Sequence, residues 1–301
     1  MEEGYSGLNT RVIAVGNQKG GVGKTTNTVH IATALCELGR KCLIWDLDMN
    51  HGATLHFGIP SESFLGTYEI LMGDENPQDL ILTNEDDGID LPLNLHLIPA
   101  RRNLENIDEA LAARDKFLNK PDVLIEPIKY LRGKYDYIFL DTAPNATTPT
   151  IAAYKAADWF ILSALPETFA IAGLNDALAD IDKARRRGNR DLRLLGVIVS
   201  CTDKRTTLSN QLSDYVEKIF GPDGQKSAKF DTTISRAVVI PKAQKVGKTI
   251  FQTNSTHKVT DEYRSVAREI EERLANAETS VSSGLADLAN SVVKEEGVGG
   301  L

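Results

Sequence analysis

Short apolar runs alternate with helical periodicities along most of this chain. Val12–Gly16, Cys42–Asp48, Leu93–Pro99, Tyr137–Asp141, Trp159–Leu165 and Leu192–Ser200 each read as a strand. Two of them, through Cys42-Leu43-Ile44-Trp45 and Tyr137-Ile138-Phe139-Leu140, are apolar at consecutive positions, so both faces of each strand are predicted to be covered. Between the strands, Thr25–Leu38 repeats Val29, Ile31, Ala32, Leu35 and Leu38 near helical spacing, with Gly39 placed to end the helix. Ile171–Arg187, Thr207–Phe220 and Thr256–Ala275 carry similar patterns. Alternating strands and helices predict an α/β fold: a mostly parallel twisted sheet with helices on both faces. Leu80–Pro92 is acidic and predicts an exposed loop. Pro121 suits the first position of a helix, but Pro127 interrupts the pattern that would follow it.

The chain has 301 residues, enough for one large α/β domain. The pattern divides it into a short extension (1–10), a single domain (11–276) and a Ser-, Gly- and Glu-rich tail (277–301) predicted to be flexible. No internal repeat interrupts it. There is no apolar run of about 18 residues, and the first ten residues lack the basic and apolar regions of a signal peptide. Cys36, Cys42 and Cys201 form no C-x-x-C pair and read as reduced thiols of a cytoplasmic protein. The formal net charge of −8 disfavours a general polyanion coat, so any DNA contact is expected from a local, salt-sensitive basic patch.

The first chemical signal lies between the first strand and the first helix: Gln18-Lys19-Gly20-Gly21-Val22-Gly23-Lys24-Thr25-Thr26. Glycines there let backbone N–H groups close around phosphate oxygens, and the helix N-terminus adds positive potential. Lys24 is placed for the β- and γ-phosphates and Thr25 for Mg²⁺, which makes Mg-ATP the expected ligand. An ordinary phosphate loop has glycine where Gln18 stands, and this one carries a second lysine, Lys19, at its start. Lys245-Val246-Gly247-Lys248-Thr249 mimics the end of such a loop, but no glycine-rich turn precedes it and it reads as a basic surface loop.

Acidic residues follow at two strand ends. Asp46 and Asp48, two apart on one strand, share a face and are placed at the phosphate edge of a parallel sheet. Asp141 ends the Tyr137–Leu140 run as a metal-holding carboxylate ends a Walker B strand. His51 has no clustered ligand residues and reads as structural.

Lys19-Gly20-Gly21-Val22-Gly23-Lys24-Thr25-Thr26 resembles the deviant Walker A box of the ParA/MinD family of ATPases. The resemblance implies a nucleotide-sandwiched homodimer in which Lys19 reaches the partner's phosphates. It implies that Asp48 orients the attacking water and belongs with Thr25 and Asp141 to the Mg²⁺ site, and that Asp46 supports the loop and the metal shell. The family's acidic box runs approximately D-x-D-P-Q-G-N-A-T. Here Met49, Asn50, His51 and Gly52 depart from it before Ala53-Thr54 return, which leaves the rate of hydrolysis and the switch loop open. The resemblance runs from about Arg11 to about Leu274. The stretches Thr202–Ser209 and Ile234–Ala243 are similar to the plasmid- and chromosome-partition branch.

That branch implies slow, partner-stimulated hydrolysis, binding to non-specific double-stranded DNA, nucleoid association with ATP, and a ParB-like adaptor. Arg205 matches one of two basic family positions. The other is Val239, with Arg236, Lys242, Lys245 and Lys248 near enough to replace its charge. Arg185-Arg186-Arg187 ends a helix and is explained by the helix dipole. A positioning ATPase for a protein cargo is the alternative, because the adaptor decides between the two. A MinD-like membrane regulator is disfavoured by a C-terminal stretch whose one basic residue after Leu285 is Lys294, so no membrane contact is expected. An iron–sulfur ATPase is disfavoured by the cysteine spacing.

Overall fold

The structure, a computed structural model, describes residues 9–115, 119–166, 170–202 and 228–296. Six strands form one parallel sheet: β1 (Arg11–Gly16), β2 (Cys42–Asp46), β3 (Leu95–Ile98), β4 (Tyr137–Asp141), β5 (Trp159–Ala164) and β6 (Arg193–Val199). Their order across the sheet is β3-β2-β4-β1-β5-β6. β1 and β4 pair with Val15 opposite Asp141, and β2 and β4 with Asp46 opposite Asp141. That register brings the phosphate loop and both acidic strand ends to one edge.

Each strand alternates its side chains between two cores. Val12, Ala14, Leu43, Trp45, Ile138 and Leu140 face one layer. It holds α3 (Thr67–Met72), α4 (Ile107–Arg114), α5 (Ile125–Leu131), α6 (Thr148–Ala156) and α7 (Ala170–Arg186). Ile13, Val15, Ile44 and Phe139 face the other, against α1 (Lys24–Glu37) and α2 (Gly52–His56). α8 (Val239–Lys245), α9 (Ile250–Thr253) and α10 (Lys258–Glu296) complete that side. Burial on both faces is why these strands read as unbroken apolar runs.

Three sequence expectations change. The last helix does not stop at Ala275 but continues to Glu296. Serines and Gly284 signal a break, yet one helical glycine costs only about 1 kcal/mol. The Leu80–Pro92 segment is only partly an exposed loop. Leu82 pairs with Leu97 beside β3, and Leu82, Ile89 and Leu91 are buried while Glu85, Asp86 and Asp87 stay outside. Pro127 does not prevent a helix. It occupies the first turn of α5, where backbone N–H groups have no intrahelical acceptor to lose. The expected helix at Thr207–Phe220 lies outside the described residues.

Candidate nucleotide-binding site

β1 ends at Gly16, where no larger residue fits: a Cβ would stand 2.6 Å from the Phe160 ring and the Tyr154 hydroxyl. The chain then turns through Asn17, whose buried amide donates to the Ser163 carbonyl (2.7 Å) and accepts from the Lys19 N–H (2.9 Å). Gly21 and Gly23 take φ of 75° and 87°, the left-handed region open to glycine, and Gly23 caps α1. The Lys24 ammonium donates to the Lys19 carbonyl across the loop (3.3 Å). Lys24 is buried. Desolvation lowers its pKa, opposed by the charges of Asp141 and Asp48. The loop is thus held in shape by its own backbone, Asn17 and one buried cation.

The carboxylates divide by what they accept. Asp46 is fully buried, with one oxygen taken by the Thr54 N–H (2.9 Å) and hydroxyl (2.8 Å) and the other by the Asp48 N–H (3.2 Å). Burial raises its pKa to about 6 against those bonds. Asp48 accepts at Oδ1 from the Asn50 N–H (2.9 Å) and Asn50 side chain (3.0 Å). Asp141 is fully buried. Its Oδ1 accepts from the Thr28 hydroxyl (3.2 Å), and its Oδ2 has no partner. Burial first and the nearby Asp46 charge second push its pKa to about 8. An orphaned buried carboxylate oxygen beside a threonine hydroxyl and a lysine fits a hard, oxygen-seeking cation.

The departure from the family's acidic box has a structural reading. His51 adopts φ 43° and its N–H donates to the Asp48 carbonyl (2.7 Å), so the chain reverses directly after the strand. Asn50 then holds Asp48, and a Cβ at Gly52 would lie 3.2 Å from the Thr25 hydroxyl. His51 itself bonds only locally, to the Met49 carbonyl (3.1 Å).

Several residues the sequence did not single out support the site. Asn27, buried in α1, donates to Ser163 (2.8 Å) and Ser200 (3.0 Å) and accepts from the Tyr263 hydroxyl (2.9 Å), so the helix that opens at the phosphate loop is tied to β5, β6 and α10. Thr28 couples the same helix to Asp141. Gln18, the residue standing in for glycine, donates to Asp180 of α7 (2.5 Å). The Lys245–Thr249 segment is no phosphate loop. α8 ends in it, Gly247 abuts Gly58, and Thr249 and Gln252 cap α9. Arg236, Lys242 and Lys245 are exposed around α8, and Lys248 pairs with Asp90 (3.1 Å). Val239 packs against the core. Arg205 lies outside the described residues.

A family model described as an AAA domain matches residues 10–194. The chain is also 33% identical over 268 residues to the chromosome-partitioning ATPase Soj of Thermus thermophilus, covering 89% of this chain and 98% of that one. The chain belongs to the ParA family of partitioning ATPases. A second ParA-family relative, the sporulation initiation inhibitor protein Soj of Bacillus subtilis, is 29% identical over 261 residues, 86% of this chain and 98% of the relative. Among solved structures, cobyrinic acid a,c-diamide synthase from Mycobacterium smegmatis, with bound ATP analogue and magnesium, superposes with a TM-score of 0.71. It shows 28% identity and covers 86% of this chain and 93% of that one. This ParA-family member is an ATPase that uses ATP with Mg²⁺. Bound Mg²⁺ neutralises charge developing on the phosphates.

Proposed function

We propose that this chain is an ATP-dependent dimerising ATPase that binds non-specific double-stranded DNA and segregates plasmid or chromosome DNA with a ParB-like adaptor. The observation that carries the reading is the second lysine of a preformed phosphate loop. Lys19 enters the loop where Lys24 is already buried, bonded to the Lys19 carbonyl and under the charges of Asp141 and Asp48 within the same chain. One chain therefore has a phosphate-binding lysine of its own, and in a dimer the second lysine at the loop's start would serve the neighbour's phosphates. A lysine supplied in trans would complete charge stabilisation around the transferring phosphoryl group only in the dimer.

The amides of Gly20–Gly23 and the Lys24 ammonium bind phosphates. Thr25 and Asp141 hold Mg²⁺, with Asp48 close to it. Asp46, with its oxygens engaged, fixes the Asp48 loop and does not contact the metal. Asp48, oriented by Asn50, positions the attacking water. The exposed cations Arg236, Lys242 and Lys245, with Lys248 close to them in sequence and Arg205 from an earlier segment, meet DNA phosphates without reading bases. Contact between Gly247 and Gly58 joins this basic segment to the end of α2, directly after the Asp48 loop, which gives nucleotide state a route to the DNA surface. ATP-bound protein then associates with the nucleoid in the cytoplasm.

Retention on non-specific double-stranded DNA, with ATP, ADP or no nucleotide at two salt concentrations, tests this reading. Retention only with ATP, falling as salt rises, is expected. An ATP-bound dimer that passes DNA unretained at low salt overturns the DNA role.

A further inference from the structure

A second cavity flanks the phosphate loop. Its volume is about 540 Å³, within the range of small-ligand sites. It opens at the same C-terminal edge of the sheet, on the side of α6 and α7. Gln18 is its only wall from the phosphate loop, and Lys24, Thr25, Asp48 and Asp141 do not line it. Ala143 and Pro144, directly after the Asp141 strand, form its inner wall with Ile151, Tyr154 and Ala184. This floor is apolar.

The mouth is cationic. Lys155, Lys183 and Arg187 all line it. Lys155 is paired with Asp122, and Lys183 with Asp180 (3.1 Å). Among the described residues no ion pair engages Arg187, so its charge is in surplus. The three consecutive arginines at the end of α7 therefore do three different things. Arg185 donates to the Leu192 carbonyl (2.7 Å), Arg186 pairs with Asp182, and Arg187 stands at the cavity. The helix dipole alone does not account for that division.

We propose that this cavity is a regulatory site for a free small organic anion, with a one- or two-ring apolar body against Ile151, Tyr154 and Ala184 and a single carboxylate or phosphate at Arg187 and Lys183. An apolar floor beneath a surplus cation selects this class. A neutral body leaves Arg187 unpaired, and a cation meets it repulsively. The site is wired to the phosphate loop. Asp180 accepts from both Lys183 and the Gln18 side chain (2.5 Å), so an anion that draws Lys183 away changes the hold on Gln18. Tyr154 is a cavity wall and also the residue that confines Gly16. Binding here and binding of ATP are thus coupled, and linkage makes the coupling reciprocal.

The test uses 1-naphthoate as probe on the full chain, with 1-naphthalenemethanol and 1-naphthylmethylamine as neutral and cationic controls. Calorimetry should show saturable 1:1 binding of naphthoate, at least about tenfold tighter than either control, as expected for one charge-assisted contact. Ala184→Trp, which fills the cavity, should abolish it. Arg187→Glu, at an exposed position that does not endanger folding, should weaken it about tenfold, whereas Arg186→Glu should not. Naphthoate should shift the Kd for a fluorescent ATP analogue by about fivefold, and Gln18→Ala should remove that shift. Absence of saturable binding overturns the site. Equal binding of the alcohol or amine, or indifference to Arg187→Glu, overturns the anion. An unchanged ATP analogue Kd overturns the coupling.

Discussion

Asp141 shows at the scale of one residue why a nucleotide site costs stability. Its carboxylate is fully buried, has one oxygen without a partner, and shares its surroundings with Asp46 and Asp48. Lys24 is one cation among three acids. Without metal, the fold holds a polar group it does not satisfy, which costs about 1–3 kcal/mol. Asp141→Asn keeps the shape and, at a pH above about 8 where the parent carboxyl would be ionised, removes its buried charge. The nucleotide-free variant is therefore expected to melt several degrees above the parent, while the rise in melting temperature on adding Mg-ATP shrinks, because a lost Mg²⁺ ligand weakens binding to the native state. Equal or lower thermal stability of the free variant would contradict the reading of Asp141 as a metal-holding group left unsatisfied. The sequence makes Asp141 visible because it ends an apolar strand. Asn27 and Thr28 stay invisible, since a single polar residue inside an amphipathic helix has no spacing signal and acquires meaning only when β5, β6 and β4 are brought beside it.

Elements carry the next constraint. α1, α2, α9 and α10 meet at a buried aromatic cluster. His30 stacks on Tyr263 (ring centroids 5.0 Å apart) and meets His56 edge-on (5.2 Å), with Phe251 beyond. His30 bonds to the Thr26 carbonyl (2.7 Å) and accepts from the Ile250 N–H (3.4 Å), whereas neither ring nitrogen of His56 has a partner. Burial lowers the pKa of His30 to about 4 and of His56 to about 3, and the second histidine adds repulsion for His56. Both folded values lie below the unfolded one of about 6.5, so the unfolded chain takes up protons first. Their contribution to stability is whole above about pH 6.5 and falls as pH drops toward about 4 and then about 3. Between pH 6.5 and 4.5 each histidine accounts for about 2–3 kcal/mol of loss. Urea denaturation across that range should show the decline, and His56→Phe should remove about half of the share that His30 and His56 contribute together. A parallel decline in that variant would show that His56 is not buried neutral. The sequence places both histidines on helices without saying that those helices meet. The strands are plainer, because burial on both faces writes an apolar run that needs no partner to be recognised. The C-terminal end of α10 is hidden for the opposite reason: its serines and glycine carry loop signals, and the accumulated helix preference of the residues between them outweighs these.

For the whole molecule the deciding question is how many chains make one site. Within a chain the phosphate loop is already closed by Asn17 and by Lys24, whose ammonium is committed to the Lys19 carbonyl and the surrounding acids. Backbone contacts therefore fix Lys19 at the loop's start, and they do not depend on what its side chain does. If Lys19 serves a neighbour's phosphates, Lys19→Ala should leave ATP binding to the single chain nearly unchanged and weaken the ATP-dependent dimer. A charge-assisted hydrogen bond is worth about 1.5–3 kcal/mol, so the dimer dissociation constant should rise about ten- to a hundredfold. Sedimentation velocity with a slowly hydrolysed ATP analogue, read against a fluorescence titration of the same analogue, separates the two effects. A variant that dimerises as the parent does would refute the trans lysine, and one that loses nucleotide binding in the monomer would place Lys19 in its own site. Loss of dimer alone would also be expected to remove ATP-dependent retention on DNA, since each chain offers only a few exposed cations around α8 and two chains double the number of phosphates met at once.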